Sequence, residues 1–236
     1  MGTTLPYLQP ENNRPRSPGA LYERMPILTL LLAGLTLSVV SCRKYPEVYV
    51  NPDDYSNVVD NQYFPLVPGT VLTYAETPAD TTSVFRVTSL TDTVLGVVCC
   101  VAVETTYRRD GSVSWTGTNS YAQHKDGDVC KFAWRYTLGN VVDSWEAGKY
   151  GEKPGIVMGS SPQVGEYYTW PGDRPAVVVS TTETVSVPCG EFANCVEIRI
   201  PGEPAHRCFY APGVGYVLYT DDSHVVEEEL VGIERP

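Results

Sequence analysis

Few side chains in this sequence could do chemistry, and their spacing does not assemble a catalytic site. The chain has 236 residues but only three histidines. His206 lies near Cys208, which we expect to pair or to pack, and His224 follows the polar run 221–223 in a predicted turn. The run at 159–162 does not match the G-x-S-x-G pattern of a nucleophilic serine. The sequence therefore predicts a protein that is not an enzyme.

Cysteine is the other reactive residue type, with seven copies in the chain. No C-x-x-C pair is present, and zinc sites need close ligand pairs, so we expect no metal and no cofactor. Export to an oxidising compartment would allow up to three disulfides among the six cysteines after Cys42. Cys195 and Cys208 fall on neighbouring predicted strands, which suggests a disulfide between them. A second disulfide would join either Cys99 or Cys100 to Cys130. The alternative is that several are buried free thiols.

Cys42 has a different setting, because it ends an apolar run from Ile27 to Val40 that three arginines precede. This run is shorter than a membrane span and has the length of a signal-peptide core. The sequence Val39-Val40-Ser41-Cys42 resembles the lipobox of bacterial lipoproteins, which implies cleavage before Cys42 and acylation of that residue. Two or more acyl chains anchor a protein stably to a membrane. Arg43 follows, and by resemblance to enteric lipoproteins the absence of Asp there favours the outer membrane.

Three segments follow from this interpretation. Residues 1–41 are a leader with a lipoprotein signal peptide, residues 42–62 are the lipidated cysteine and a flexible tether, and residues 63–236 are a single β-rich domain. The chain has a net charge of −11, and removing residues 1–41, with three basic and two acidic residues, leaves −12. Such an acidic surface repels phosphate backbones, so we expect no nucleic-acid partner.

The predicted domain is rich in strand-forming residues and in turn signals. Asp-Gly pairs at 110–111 and 126–127 suit tight hairpins and predict a meander over roughly 97–107, 113–124 and 129–136. Residues 139–163 are expected to form a long loop with short extended pieces. The whole pattern predicts an all-β domain of about ten strands, arranged as a curved antiparallel sheet or partial β-barrel. A β-sandwich is the alternative.

The acidic run Glu227-Glu228-Glu229 falls on the last predicted strand. Charged side chains on an edge strand block sheet-to-sheet pairing. We therefore expect this strand to lie at an edge of the sheet.

Three motifs resemble an uncharacterised family of bacterial lipoproteins. They are Tyr63-Phe64-Pro65-Leu66-Val67-Pro68-Gly69, then Val187-Pro188-Cys189-Gly190-Glu191-Phe192, then Tyr210-Ala211-Pro212-Gly213-Val214-Gly215. This family is grouped with TapB-like pilus accessory proteins and with domains related to LolA-type carriers. Cys189 stands where the family pattern has Ala, which adds a Cys189–Cys195 bridge to the candidate disulfides.

The resemblance implies a curved sheet whose apolar face holds lipid in LolA-type relatives. Aromatic side chains that could line such a groove are Phe85, Phe132, Trp134, Tyr136, Tyr168 and Trp170. Filling the core is the simpler role for them. Our first hypothesis is a non-catalytic, membrane-anchored envelope protein that binds a protein partner. The alternatives are a carrier or sensor of an apolar ligand and, third, a hydrolase.

Overall fold

The computed structural model describes residues 48–77, 79–202 and 204–236. The predicted leader and Cys42 lie outside this part of the chain. No helix in the described part is long and apolar enough to cross a membrane. The strands are β1 Tyr55–Ser56, β2 Val71–Glu76, β3 Thr81–Val94, β4 Val97–Arg108, β5 Val113–His124, β6 Val129–Leu138, β7 Val141–Glu146, β8 Gly155–Met158, β9 Tyr167–Trp170, β10 Arg174–Val187, β11 Gly190–Ile200, β12 His206–Ala211, β13 Gly215–Asp221 and β14 Val226–Glu234. Short 3₁₀ turns occupy Pro52–Asp54 and Lys149–Gly151.

All fourteen strands belong to one antiparallel sheet. Its order is β7-β6-β5-β4-β3-β2-β14-β13-β12-β11-β10-β9, while β1 pairs with β5 and β8 pairs with β6. The sheet is curved but does not close into a barrel. This confirms the predicted all-β fold and its curved antiparallel sheet. The strand count exceeds the predicted number of about ten, in part because residues 139–163 contribute β7 and β8 and residues 55–56 contribute β1.

The predicted meander is confirmed as β4, β5 and β6, with its two Asp-Gly pairs at the turns. Gly111 and Gly127 have φ angles of +81° and +95°, which residues with a side chain rarely adopt. Each turn closes with a backbone hydrogen bond: the amide of Arg108 donates to the carbonyl of Ser112, and the amide of His124 to that of Asp128.

The curvature brings distant strands together on one face. Phe64 contacts the ring of Tyr121 on β5 at 5.3 Å and the ring of Tyr210 on β12 at 6.1 Å. These two strands are six positions apart in the strand order, so one ring can contact both tyrosines only if the sheet curves towards it. The face that carries both tyrosines is therefore the concave one. The main apolar core fills part of this face, with fully buried Ile198 and Val178 at its centre.

The last strand does not lie at an edge. β14 pairs with β13 on one side and with β2 on the other, in registers that set Glu228 opposite both Tyr219 and Glu76. The prediction that 227–229 protects a sheet edge is therefore wrong. In the described part, β7 and β9 lie at the two ends of the strand order instead.

Part of the segment predicted as a tether packs against the sheet. Tyr55 pairs with His124 across β1 and β5, and Val59 is 2% exposed in the main core. The Asn61 side chain donates hydrogen bonds to the carbonyls of Gly127 (3.1 Å) and Gly159 (2.9 Å). The domain therefore begins before Tyr63, because these residues satisfy backbone groups of two turns that the sheet leaves open.

The six cysteines of the described part are free thiols, so the disulfide prediction is not supported. Ile198 is the partner of Cys208 in the β11–β12 register. Cys195 lies three residues from Ile198 along β11, so its side chain points to the opposite face. Cys189 follows β10 in the turn to β11 and also remains unpaired.

The other predicted pair fails because a strand intervenes. Cys130 on β6 pairs with Ala122 on β5, and Cys99 lies beyond it on β4. Two strand spacings amount to about 9–10 Å between Cα atoms, and a disulfide needs less than about 7 Å. Cys100 points to the concave face, where it packs in the main core.

Free thiols in a folded domain give a simple chemical expectation. We expect the mature protein, unfolded in denaturant without reductant, to take up six alkyl groups, and the folded protein to take up few. Burial raises the pKa of Cys99 and Cys130 to about 12 and that of Cys100 and Cys195 to about 11, which disfavours the reactive thiolate. Mass spectrometry counts the added groups; each disulfide would lower the unfolded count by two.

Candidate functional site

The predicted catalytic candidates are placed apart from one another. His206 is 4% exposed, its ring stacks on Tyr219 at 4.9 Å, and its Nδ1 lies 3.2 Å from a carboxylate oxygen of Glu227. Cys208 lies in the main core, and burial raises the pKa of its thiol. A buried thiol of raised pKa is a poor nucleophile, so this pair does not form a Cys–His site.

His224 lies in the turn between β13 and β14 with a positive φ of +62°. The Asp221 carboxylate accepts hydrogen bonds from the backbone amides of Ser223 (2.8 Å) and Val225 (2.9 Å). These contacts are those of an Asx turn, and they occupy the carboxylate that the sequence placed beside His224.

The six aromatic side chains predicted to line a groove fall into separate groups. Tyr168 and Trp170 pack in the main core, and Phe85 lies between that core and a second apolar cluster. Phe132 is fully buried against Tyr55 in a third cluster on the convex side. Trp134 and Tyr136 stack on each other at 5.1 Å on β6. The structure therefore brings only pairs of them together.

A polar and aromatic region of the concave face is the feature that the sequence did not predict. It begins with three carboxyl groups on strands that are neighbours or near neighbours: Glu76 on β2, Glu104 on β4 and Glu228 on β14. The strand register places all three on the concave side. Glu76 lies opposite Glu228 in the β2–β14 pairing, and Glu104 lies two residues along β4 from Ala102, which packs in the main core, so both of these side chains point to the same face. All three are partly exposed. We call them the concave carboxylates.

Hydroxyl groups hold two of the concave carboxylates in place. The Tyr216 hydroxyl donates to Oε2 of Glu228 at 2.7 Å, and the Thr106 hydroxyl donates to Oε1 of Glu76 at 3.2 Å. The Thr81 hydroxyl also donates to Glu76. The network orients the carboxylates but brings no positive charge to them.

An aromatic strip adjoins Glu104 on β5 and β6. Trp115 contacts Tyr136 edge to face at 5.0 Å, and Tyr136 stacks on Trp134. Gly117 makes this possible, because a Cβ at that position would lie 2.0 Å from Cδ1 of Tyr136. We call Trp115, Trp134 and Tyr136 the aromatic strip; all three are partly exposed.

Asn119 links the strip to the carboxylates. The Tyr136 hydroxyl donates to Oδ1 of Asn119 at 3.1 Å, and Nδ2 of Asn119 donates to Oε2 of Glu104 at 3.5 Å. Asn119 is 1% exposed, so its amide is buried between the two groups. The aromatic strip and the concave carboxylates thus form one connected surface.

Burial dominates the electrostatics of this surface. Burial raises the pKa of Glu228 to about 8, and the charge of Glu104 adds to the shift. Burial also raises the pKa of Glu104, against the attraction of Lys131. Lys131 lies over the Tyr121 ring at 5.5 Å, and burial lowers its pKa to about 8.

Two open clefts indent the described surface. One of about 600 Å³ lies at the β2–β3 and β4–β5 turns and includes Glu76 and Thr81. The other, of about 530 Å³, lies beside the N-terminal segment and includes Tyr55 and His124. Neither includes any of the six predicted groove residues. The first cleft is continuous with the concave carboxylates through Glu76.

Within the described ranges, no group of three or more His, Cys, Asp or Glu side chains is arranged to hold a metal ion. The concave carboxylates can accept hydrogen bonds and attract cations, and the aromatic strip offers ring faces. The sequence did contain one signal of this polar surface. Glu104 interrupts the β-branched run of β4 at a position that faces the core, where a charged residue is unusual.

Comparisons with known proteins give fold neighbours and no activity. No family model and no curated protein match the chain. Two solved structures are similar over 73% of it. A Bacteroides fragilis protein described as exported, with a YmcC-like fold, is 18% identical over 99% of its own chain, with a TM-score of 0.44. A Parabacteroides distasonis protein described as a lipoprotein is 13% identical over 98% of its chain, with a TM-score of 0.42. At these identities and TM-scores, neither assigns a family to the chain.

The raised pKa of Glu228 predicts a pH-dependent loss of stability. Between pH 4.5, its ordinary pKa, and pH 8, the unfolded state releases this proton while the folded state retains it, so stability falls as pH rises. We expect Glu228→Gln to remove this loss and to raise the free energy of unfolding by about 2 kcal/mol at pH 9 but not at pH 4. Denaturant unfolding at several pH values measures it.

Glu229→Gln is the matched control, because it makes the same change on the neighbouring position of β14. Its stability difference from the wild-type protein should not vary in this way with pH. If the free energies of unfolding of Glu228→Gln and of the wild-type protein changed in parallel with pH, the raised pKa of Glu228 would be contradicted.

Proposed function

We propose that this chain is a lipid-anchored protein of the bacterial cell envelope that binds a protein partner on its concave face without catalysis. The observation that carries the proposal is the partly exposed surface formed by the aromatic strip and the concave carboxylates. Tryptophan and tyrosine are enriched at protein interfaces, because they bury a large area at low cost in side-chain entropy. The proposal includes acylated Cys42 as the membrane anchor. Arg43 after it favours the outer membrane, with the domain facing the periplasm.

The position of the N-terminal segment supports it. The segment packs where β4 begins and β5 ends: Pro52 lies against Gly96, and the Lys125 amide donates to the Asp54 carbonyl. Trp115 lies near the opposite end of β5, nine residues from His124, which is about 30 Å along the strand. The surface is therefore remote from the point where the anchored chain joins the sheet, and a partner can approach it.

The non-catalytic assignment rests on the chemistry of the groups present. The histidine and cysteine candidates are buried or held in a turn, and hydroxyl groups occupy the carboxylates of Glu76 and Glu228. The alternative of an apolar-ligand carrier needs a common apolar cavity, and neither of the two clefts described above includes any of the six predicted groove residues. The surface best suits contact with another protein.

Membrane anchoring through Cys42 has a direct test. We expect Cys42→Ala to abolish acylation, because Cys42 is the residue that would carry the acyl chains. The protein should then leave the membrane fraction. Cell fractionation and mass spectrometry of the mature amino terminus measure the effect. Cys208→Ala is the control substitution and should leave the membrane fraction unchanged. An unchanged distribution of Cys42→Ala would remove lipidation from the proposal.

Partner binding has a position-specific test. A photo-crosslinking phenylalanine derivative at Trp115 should give a discrete adduct with an envelope protein in cells. The same group at Thr118, exposed on the convex side of the same strand, should not. Equal adducts at both positions, or none at position 115, would contradict binding on the concave face.

A further inference from the structure

We propose that the protein partner adds a strand of its own to the outer edge of β7, so that the sheet continues into an extended segment of the partner. The inference rests on the proposed function and specifies the element of the partner that makes the contact. β7 lies beside β6, which carries Trp134 and Tyr136 of the aromatic strip, so the added strand would continue the proposed concave contact.

The pairing of β7 with β6 shows which of its backbone groups face outward. Leu138 and Val141 flank a two-residue turn, which makes them a hydrogen-bonded pair of the ladder. In the same phase, the amide of Ala147 donates to the carbonyl of Phe132 at 2.8 Å. The odd-numbered residues of β7 therefore direct their backbone groups to β6, and the even-numbered residues direct theirs away from it.

The outward backbone groups lack hydrogen-bond partners. They belong to Val142, Ser144 and Glu146, and within the described ranges no other group bonds to their N–H or C=O groups. Val141 and Val142 are 64% and 61% exposed, so this end of the edge is open to another chain. An extended peptide offers N–H and C=O groups at the spacing of the edge, and this match is how added strands are bound.

The other end of the strand order is covered by the chain itself. Around β8, a Cβ on Gly155 would clash with the backbone nitrogen of Pro171, directly after β9, and one on Gly159 would clash with the Tyr168 hydroxyl. Proline, lysine or a bulge commonly protects an open edge. β7 has none of these, so it remains able to accept a strand.

A second copy of this chain is a poor occupant of the edge. Two antiparallel β7 strands must match outward residues with outward residues, so the registers with most overlap are centred on Asp143 or on Ser144. The first sets Asp143 opposite its own copy, and the second sets Val142 opposite Glu146. Each copy also carries a net charge of −11. A different chain therefore fits the edge better.

The first test removes one outward N–H group. Proline is tolerated on an edge strand where its N–H would face solvent, so Ser144→Pro should fold and keep its bonds to β6. We expect it to lower the yield of the photo-crosslinked adduct at Trp115 by about fivefold or more, because the added strand loses a hydrogen bond and meets the proline ring. Ser144→Ala keeps the N–H and should leave the yield unchanged.

Equal adduct yields for folded Ser144→Pro and Ser144→Ala would overturn the added strand. Thermal unfolding checks that each variant folds, and Val142→Pro, at another outward position, replaces Ser144→Pro if that variant does not fold.

Hydrogen exchange tests the same contact without a substitution. The adduct is purified through an affinity tag on this chain and compared with the free protein. We expect the amides of Val142, Ser144 and Glu146 to exchange about tenfold or more slowly in the adduct. Unchanged exchange would overturn the proposal. Protection that grows with the concentration of the free protein would assign the edge to a second copy and would also overturn it.

Failure of this inference is distinguishable from failure of the proposed function. An adduct at Trp115 that is insensitive to Ser144→Pro would retain a partner on the concave face and remove the added strand. If no adduct forms at Trp115, the same photo-crosslinking group at Asp143 on β7 tests the edge by itself. An adduct there would retain the added strand, and its absence would overturn it.

Discussion

Pairing between the last strand and the first long strand is the contact on which the rest of this structure depends. Strands β2 to β7 follow one another across one half of the sheet, and β14 back to β9 follow one another across the other half. Among the described residues, β14 against β2 is the strand pairing that joins the halves, in a register that sets Leu230 beside Tyr74 and Glu228 beside Glu76. About 150 residues of chain separate these partners, so this pairing carries a large loop-closure cost that local hairpins do not.

The concave face has two environments. Toward the N-terminal segment, apolar side chains such as Ile198, Val178 and Met158 are buried together. Toward the β2–β3 turn, the same face carries the concave carboxylates with Lys131. Carboxyl groups in partly buried positions cost stability unless they are paired or protonated, which explains the direction of the pKa of Glu228.

The three apolar clusters show how a single sheet protects both its faces. The main core fills the concave side, and a third cluster around Phe132 and Cys99 lies on the convex side under Tyr55 and Val50. The N-terminal segment therefore covers apolar sheet surface. This arrangement fixes where the chain enters the sheet and leaves the aromatic strip about 30 Å away along β5.

The sequence by itself determined the features that depend on neighbouring residues: alternation within the strands, the Asp-Gly turns of the β4–β6 meander, and the apolar run before Cys42 that predicts an anchor. The tertiary structure decided what depends on pairing between distant strands. Glu228 has the pattern of an edge residue until β14 is placed between β13 and β2. Cys99 and Cys130 are plausible partners until β5 separates them. The group of three concave carboxylates could not be predicted either, because Glu228 meets Glu76 only when β14 pairs with β2. Register between distant strands is set by the packing of the whole core, and no local pattern encodes it.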